Sequence, residues 1–146
     1  MNYNISVIIP IYNVEQYIER CLYTLFNQTL MDIEYIFVDD ASTDNSIKLV
    51  EQILNNYPKR EKNVKLLRFN KYKGVAEAKK IGILNSTGEY IIHCDLDDYI
   101  ELDMYKVMYM EAINKKVDIV SCNYWIENNE GCRIVKKIYS KNPHIC

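Results

Sequence analysis

Ile91-Ile92-His93-Cys94-Asp95-Leu96-Asp97-Asp98-Tyr99 runs from an apolar stretch straight into three carboxylates within four residues. The apolar part reads as a buried strand. Carboxylates this close repel one another and raise each other's pKa unless something positive neutralises them. A hard divalent cation such as Mg2+ or Mn2+ takes oxygen ligands and commonly bridges one or two carboxylates to phosphates. The stretch therefore suggests a metal and diphosphate site at the C-terminal end of a parallel strand. A solvated acidic turn is the plain alternative.

Working outward, the flanking sequence alternates strand and helix. Ile5 to Pro10 is a β-branched run too short for a helix and reads as a strand buried on both faces. Val14, Tyr17, Ile18, Cys21, Leu22, Leu25 and Phe26 then recur at helical spacing, with Glu15, Gln16, Glu19 and Arg20 on the wet face. Ile33 to Val38 is a second strand ending in Asp39-Asp40. Ala41 to Asn45 supplies N-cap chemistry for a helix with the stripe Ile47, Val50, Ile53, Leu54 and Tyr57. Pro58 and the charged residues 59–62 are expected to stop it. A third strand over Val64 to Phe69 precedes a helix from Val75 to Asn85, opened by Gly74. Ser86-Thr87-Gly88 turns into a fourth strand, Glu89 to Cys94. Leu102, Tyr105, Met108, Tyr109, Ala112 and Ile113 mark a fourth helix, and Val117 to Tyr124 a fifth strand. Asn128 to Gly131 reads as a turn and Cys132 to Tyr139 as an added edge strand.

This alternation predicts an α/β fold with an open, mainly parallel sheet flanked by helices. Right-handed crossovers would bring Pro10, Asp39-Asp40 and Asp95-Asp97 to one rim, where open α/β sheets bind ligands. The 146 residues fit one domain with its core over about 5–125 and an edge strand or tail over 126–146.

A net charge of −2 argues against a general nucleic-acid binder. No apolar run is long enough to cross a bilayer, and Met1-Asn2-Tyr3-Asn4 lacks a basic leader, so the expected location is cytoplasmic, with room for attachment to the inner face of a membrane. Five cysteines with no C-x-x-C pair fit neither a disulfide framework nor a zinc site; Cys21, Cys94 and Cys122 are expected as small core residues. No G-x-G-x-x-G or G-x-x-x-x-G-K-[ST] loop is present, so a diphosphate here would rely on a metal. His93 is expected to be packed or hydrogen-bonded, not a ligand.

Ser6-Val-Ile-Ile-Pro-Ile-Tyr-Asn13, Phe37-Val-Asp-Asp-Ala-Ser-Thr-Asp44, Gly88-Glu-Tyr-Ile91 and Asp95-Leu-Asp-Asp98 occur together, in this order. The set resembles the family 2 glycosyltransferases of the GT-A fold, across about residues 5–125. The resemblance implies an inverting transferase with a nucleotide-diphosphate sugar, UDP-sugar favoured, as donor. A glycan or lipid-linked molecule, as in polysaccharide biosynthesis, would be the acceptor. It implies that Asp40 reads the base, that Pro10, Tyr12 and Asn13 surround the nucleoside, and that Asp95-Leu96-Asp97 is the D-x-D motif. Asp97 would bind the divalent ion and Asp95 lie near the ribose or the ion's shell. Read from the residues alone, Lys79 is a candidate phosphate or base contact, with a merely solvated helix lysine as the plain alternative.

The sequence departs from the family pattern at several points. Ala41 stands where the family usually has Gly, and Lys79-Lys80 where it often has Arg-Asn. A lysine supplies a point charge in place of a bidentate fork. Asn70 and Tyr72 do not reproduce the usual Asn two residues before Gly74. Nothing in residues 118–146 matches the family's later acid and Arg/Gln-rich motif, so the general base is not identified and little transfer is expected from this chain alone. Two other readings are an Asp-x-Asp phosphatase of the haloacid-dehalogenase type and a non-catalytic module pairing through a free sheet edge, a homo-oligomer included.

Overall fold

A computed structural model describes residues 3–128 and 131–135. Four strands, β1 (Ile5–Ile11), β2 (Ile33–Asp39), β3 (Val64–Arg68) and β4 (Tyr90–His93), form one sheet. All its pairings are parallel, and the spatial order is β3-β2-β1-β4. The chain steps outward from β1 to β3 and then returns to the far side of β1. The order therefore reverses between β1 and β4, and such a reversal leaves a crevice beyond the C-terminal strand ends.

Both faces of this sheet are covered, which is why β1 and β2 are almost continuously apolar. Ile5, Val7, Ile9 and Ile11 of β1 face a large core under the helices α1 (Ile18–Phe26), α2 (Ser46–Leu54) and α5 (Met104–Lys115). Ile8, Ile36 and Val38 turn the other way and meet Ala78 of α4 (Val75–Leu84). Each fully buried Ile or Leu contributes about 1.5–3 kcal/mol relative to exposure. The α4 face is tight at Gly82, where an added Cβ would run into the Ile8 side chain.

A buried carboxylate fixes where β4 begins. Glu34 of β2 is 1% exposed and accepts from the Ser6 hydroxyl at 2.6 Å and from the Thr87 N–H at 2.9 Å. The Lys65 ammonium of β3 lies 2.6 Å away. Ser6 Oγ in turn accepts from Gly88 N–H at 2.8 Å. Burial pushes the Glu34 carboxyl up, but these partners outweigh it and leave the group below its ordinary pKa.

Several expectations need correction. Helix α1 begins at Ile18, not at Val14, and Tyr17 is exposed. The Val14 and Glu15 N–H groups are instead committed to Ser46 Oγ and Asp44 Oδ2 across the neighbouring loop. Pro58 does not only stop α2; it opens a short helix, α3 (Pro58–Glu61), where its missing N–H costs nothing. That turn carries Arg60 inward to donate to the carbonyls of Phe26, Gln28, Leu30 and Met31. The expected strand over Val117 to Tyr124 does not form: Ile119 is 81% exposed and Cys122 is exposed, not core. The chain leaves α5 through a left-handed Lys116, φ 52°, and finds no ladder partner among the described residues until Tyr124. There β5 (Tyr124–Asn128) pairs antiparallel with β6 (Gly131–Val135) in a separate ribbon. Leu102, expected on the apolar stripe of α5, precedes that helix and is exposed. Residues 129–130 of the expected turn and 136–139 of the expected edge strand lie outside the described residues.

Candidate functional site

A cavity of about 270 Å³ opens where β1, β2 and β4 end. Pro10 lines it from β1, Tyr12 and Asp40 from just past the ends of β1 and β2, and Asp95, Leu96 and Asp97 from the loop after β4. Two acidic segments 55 residues apart in sequence therefore share one crevice (positions 40 and 95). Asn13 and Lys79 are not among its lining residues.

Asn13 has a different task. Its backbone is left-handed, φ 51°, and its side-chain oxygen accepts from Thr43 N–H at 2.8 Å. Asp39 Oδ1 accepts from Ser42 N–H at 2.9 Å, a side-chain to backbone bond that bends the chain out of β2. Between them Ala41 sits at φ 61°, a conformation that suits glycine. The β1 and β2 exits are thus tied together just past the residues that line the cavity.

Asp40 is 2% exposed, and both of its oxygens are engaged. Oδ1 accepts from Lys73 N–H at 2.6 Å and Oδ2 from Gly74 N–H at 2.7 Å. Charge-assisted bonds to backbone N–H groups of this kind are short and strong. The carboxylate also lies at the positive end of α4. Gly74 adopts φ 92°, which a side chain would strain. Sequence periodicity gave no hint of this hook, because the loop it holds, 70–74, carries no pattern of its own. Tyr72, borne on that loop, also lines the cavity, and its ring centroid lies 4.6 Å from that of Tyr12.

On the opposite wall, Asp95 and Asp97 are exposed while Leu96 between them is buried at 2%. Leu96 anchors the loop in the core beneath α1. Lys79 reaches from α4 to within 3.0 Å of Asp95 Oδ1. Burial, then Asp97, then Asp95 push the Asp98 carboxyl above its ordinary range. His93 is exposed at the strand end, not packed; partial burial and then the Lys79 charge hold its pKa down. Cys21 and Cys94 lie buried under the loop with their sulfurs 3.9 Å apart, and the hydrogen bond to Cys94 and burial push the Cys21 thiol far up. A thiol so held, as at Cys21, is a poor nucleophile.

No three His, Cys, Asp or Glu side chains among the described residues are placed to enclose an ion by themselves. The donor set is instead an exposed pair of carboxylates beside an open cavity, with Asp98 next in the chain. That set fits a Mg2+- or Mn2+-type ion, which takes one or two carboxylates and completes its shell with phosphate and water. Among the described residues no helix is long and apolar enough to cross a membrane.

The family model described as glycosyl transferase family 2 matches residues 6–144. The chain is 37% identical over 121 residues to the glycosyltransferase GlyG of Streptococcus pneumoniae, covering 83% of this chain and 39% of that protein. It is 35% identical over 126 residues to the uncharacterised glycosyltransferase EpsJ of Bacillus subtilis, covering 86% of this chain and 35% of EpsJ. The chain thus spans between a third and two fifths of these relatives' length. Among solved structures, S. aureus TarS 1-349 in complex with UDP superposes with a TM-score of 0.68 at 29% identity, over 78% of this chain and 32% of that one. The mannosyltransferase PcManGT from Pyrobaculum calidifontis, in complex with GDP-Man and Mn2+, gives 0.62 at 27% identity, over 68% of this chain and 29% of that one.

Proposed function

The chain belongs to glycosyl transferase family 2 and has the GT-A fold, and from that premise we propose that it is a single nucleotide-sugar-binding domain of an inverting transferase. The donor is a UDP-sugar and the acceptor a hydroxyl of a glycan or lipid-linked molecule, met at the cytoplasmic face of a membrane. The observation that carries this reading is the one crevice shared by Asp40, Asp95 and Asp97 at the point where strand order reverses. Complexes of TarS with UDP and with UDP-GlcNAc support the choice of donor.

In this reading the nucleoside lies between Pro10, Tyr12 and the Asp40 corner, and the diphosphate points toward the loop after β4. Asp97 and Asp95 hold the divalent ion there. The bound ion supplies Lewis-acid stabilisation of the charge that grows on the departing nucleoside diphosphate. Lys79, already 3.0 Å from Asp95, adds a positive charge on the α4 side of the same group. Leu96 fixes the loop so that the two acids keep their spacing.

Transfer also needs a base to take the proton of the attacking hydroxyl. Among the described residues that line the crevice, Asp40 is occupied by backbone N–H groups and Asp95 by Lys79. Asp97 is assigned to the ion. The 146-residue chain is therefore expected to bind donor and to transfer little sugar. Titration of UDP by calorimetry with and without Mn2+ tests the reading. Binding that depends on Mn2+ and disappears in Asp97→Ala supports it; binding indifferent to both contradicts it.

A further inference from the structure

Of the two exposed rings at the mouth of the crevice, Tyr12 already borders the nucleoside's place, whereas Tyr72 has no task yet. Tyr12 is 45% exposed and Tyr72 59%, and their centroids stand 4.6 Å apart with the planes tilted by 48°. A planar ligand inserted between them would need about 3.5 Å on each side, and that space is not there. The pair instead presents a joined aromatic surface beside Asp40. Large exposed aromatics are costly to leave in water, and exposed aromatic faces are the common platform for stacking nucleobases.

The position of Tyr72 is enforced through its neighbours. Asp40 draws in the N–H groups of the next two residues, Lys73 and Gly74, at 2.6 and 2.7 Å. Lys73 is pinned a second time, its ammonium 4.2 Å from the centre of the Phe69 ring. Gly74 permits the sharp entry into α4. Loop 69–74 is thus fastened at both ends, and Tyr72 projects from it toward Tyr12.

We propose that Tyr72 is a further base-binding residue of the donor site: it extends the Tyr12 ring into a two-ring shelf on which the base stacks, and Asp40 sets its place. The inference rests on the donor-site reading above and adds a residue to it. Asp40 then acts on the base largely through the loop that it positions.

The test uses the 146-residue chain with UDP and Mn2+, comparing wild type, Tyr72→Ala and Tyr72→Phe by calorimetry, with thermal midpoints measured alongside. Saturation transfer from tyrosine ring protons to uracil H5 and H6 reports the stacking directly in wild type and Tyr12→Ala. The expected result is UDP weakened about tenfold in Tyr72→Ala, the scale of one stacking contact. Tyr72→Phe stays within about twofold of wild type, midpoints are unchanged, and transfer to the uracil persists in Tyr12→Ala. Unaltered UDP affinity in Tyr72→Ala overturns the inference and leaves the donor reading standing. Equal losses in Tyr72→Ala and Tyr72→Phe overturn it too, since the hydroxyl and not the ring would then matter. A wild-type chain that binds no UDP removes the donor reading and this inference with it.

Discussion

Lys79 Nζ lies 3.0 Å from Asp95 Oδ1, so α4 on one face of the sheet is joined by charge to the loop that follows β4. The Lys79 side chain is 29% exposed and that of Asp95 51%, and a pair this open contributes only about 0–1 kcal/mol to folding. Its value is positional: a cation is held beside the place assigned to a diphosphate. Lys79→Met is expected to move the thermal midpoint by no more than a few degrees and to weaken UDP–Mn2+ binding roughly tenfold, the worth of one charge-assisted contact. Calorimetry and a melting curve read the two effects separately; intact affinity would remove Lys79 from the donor site.

Glu34 makes the fold sensitive to acid. Its folded pKa is depressed by Lys65, Ser6 and Thr87 despite burial. For a carboxyl shifted down, the extra stability is fully present above the unfolded value of about 4.3 and is lost as pH falls through the lower, folded value. Glu34→Gln is expected to cost about 1–3 kcal/mol at pH 7, because Lys65 and Ser6 lose their charged acceptor. Urea titrations from pH 7 down to pH 3 should show the gap between variant and wild type closing below about pH 4. A constant gap would mean that the charge is not the cause.

Gly88 is the sharpest test of how β4 is seated. A Cβ there would stand 2.5 Å from Ser6 N and 2.6 Å from Ile5 C, backbone atoms that cannot yield without moving β1. Gly88→Ala is therefore expected to destabilise by about 3 kcal/mol or more, at the upper end of overpacking effects. It should also reduce Mn2+-dependent UDP binding, since the acidic loop hangs from the end of the displaced strand. Denaturant unfolding and calorimetry on one preparation check both.

Ala41 offers a gain. It holds φ 61°, which costs a side-chain-bearing residue about 1–2 kcal/mol, partly offset by the greater unfolded-state freedom of glycine. Ala41→Gly is expected to stabilise by about 0.5–1 kcal/mol in urea unfolding. A loss of stability would show that the methyl group is packed.

Most of the architecture could be read from the chain because helix and strand periods are local. The runs at Ile5, Ile33, Val64 and Tyr90 became the four parallel strands, and the family motifs fell at their ends. The reading failed where pairing, not composition, decides. Residues 117–123 are as apolar as a strand, yet pairing requires a neighbour, and among the described residues they have none until Tyr124. Arg60 looked like part of a charged stop signal and is instead buried against four carbonyls, which only the tertiary fold can supply. Convergence of Asp40 with Asp95 and Asp97 followed from handedness and strand order, both general to α/β sheets. The Asp40 hook and the Tyr12–Tyr72 pair did not, since both depend on the path of a loop without periodicity.

Mapping amide shifts on adding UDP with Mg2+ addresses the shared crevice most directly. The account predicts simultaneous saturating shifts at Tyr12, at Lys73 and Gly74, and at Asp95 to Asp98, all with one dissociation constant. Shifts confined to one of these segments, or segments titrating with different constants, would contradict it.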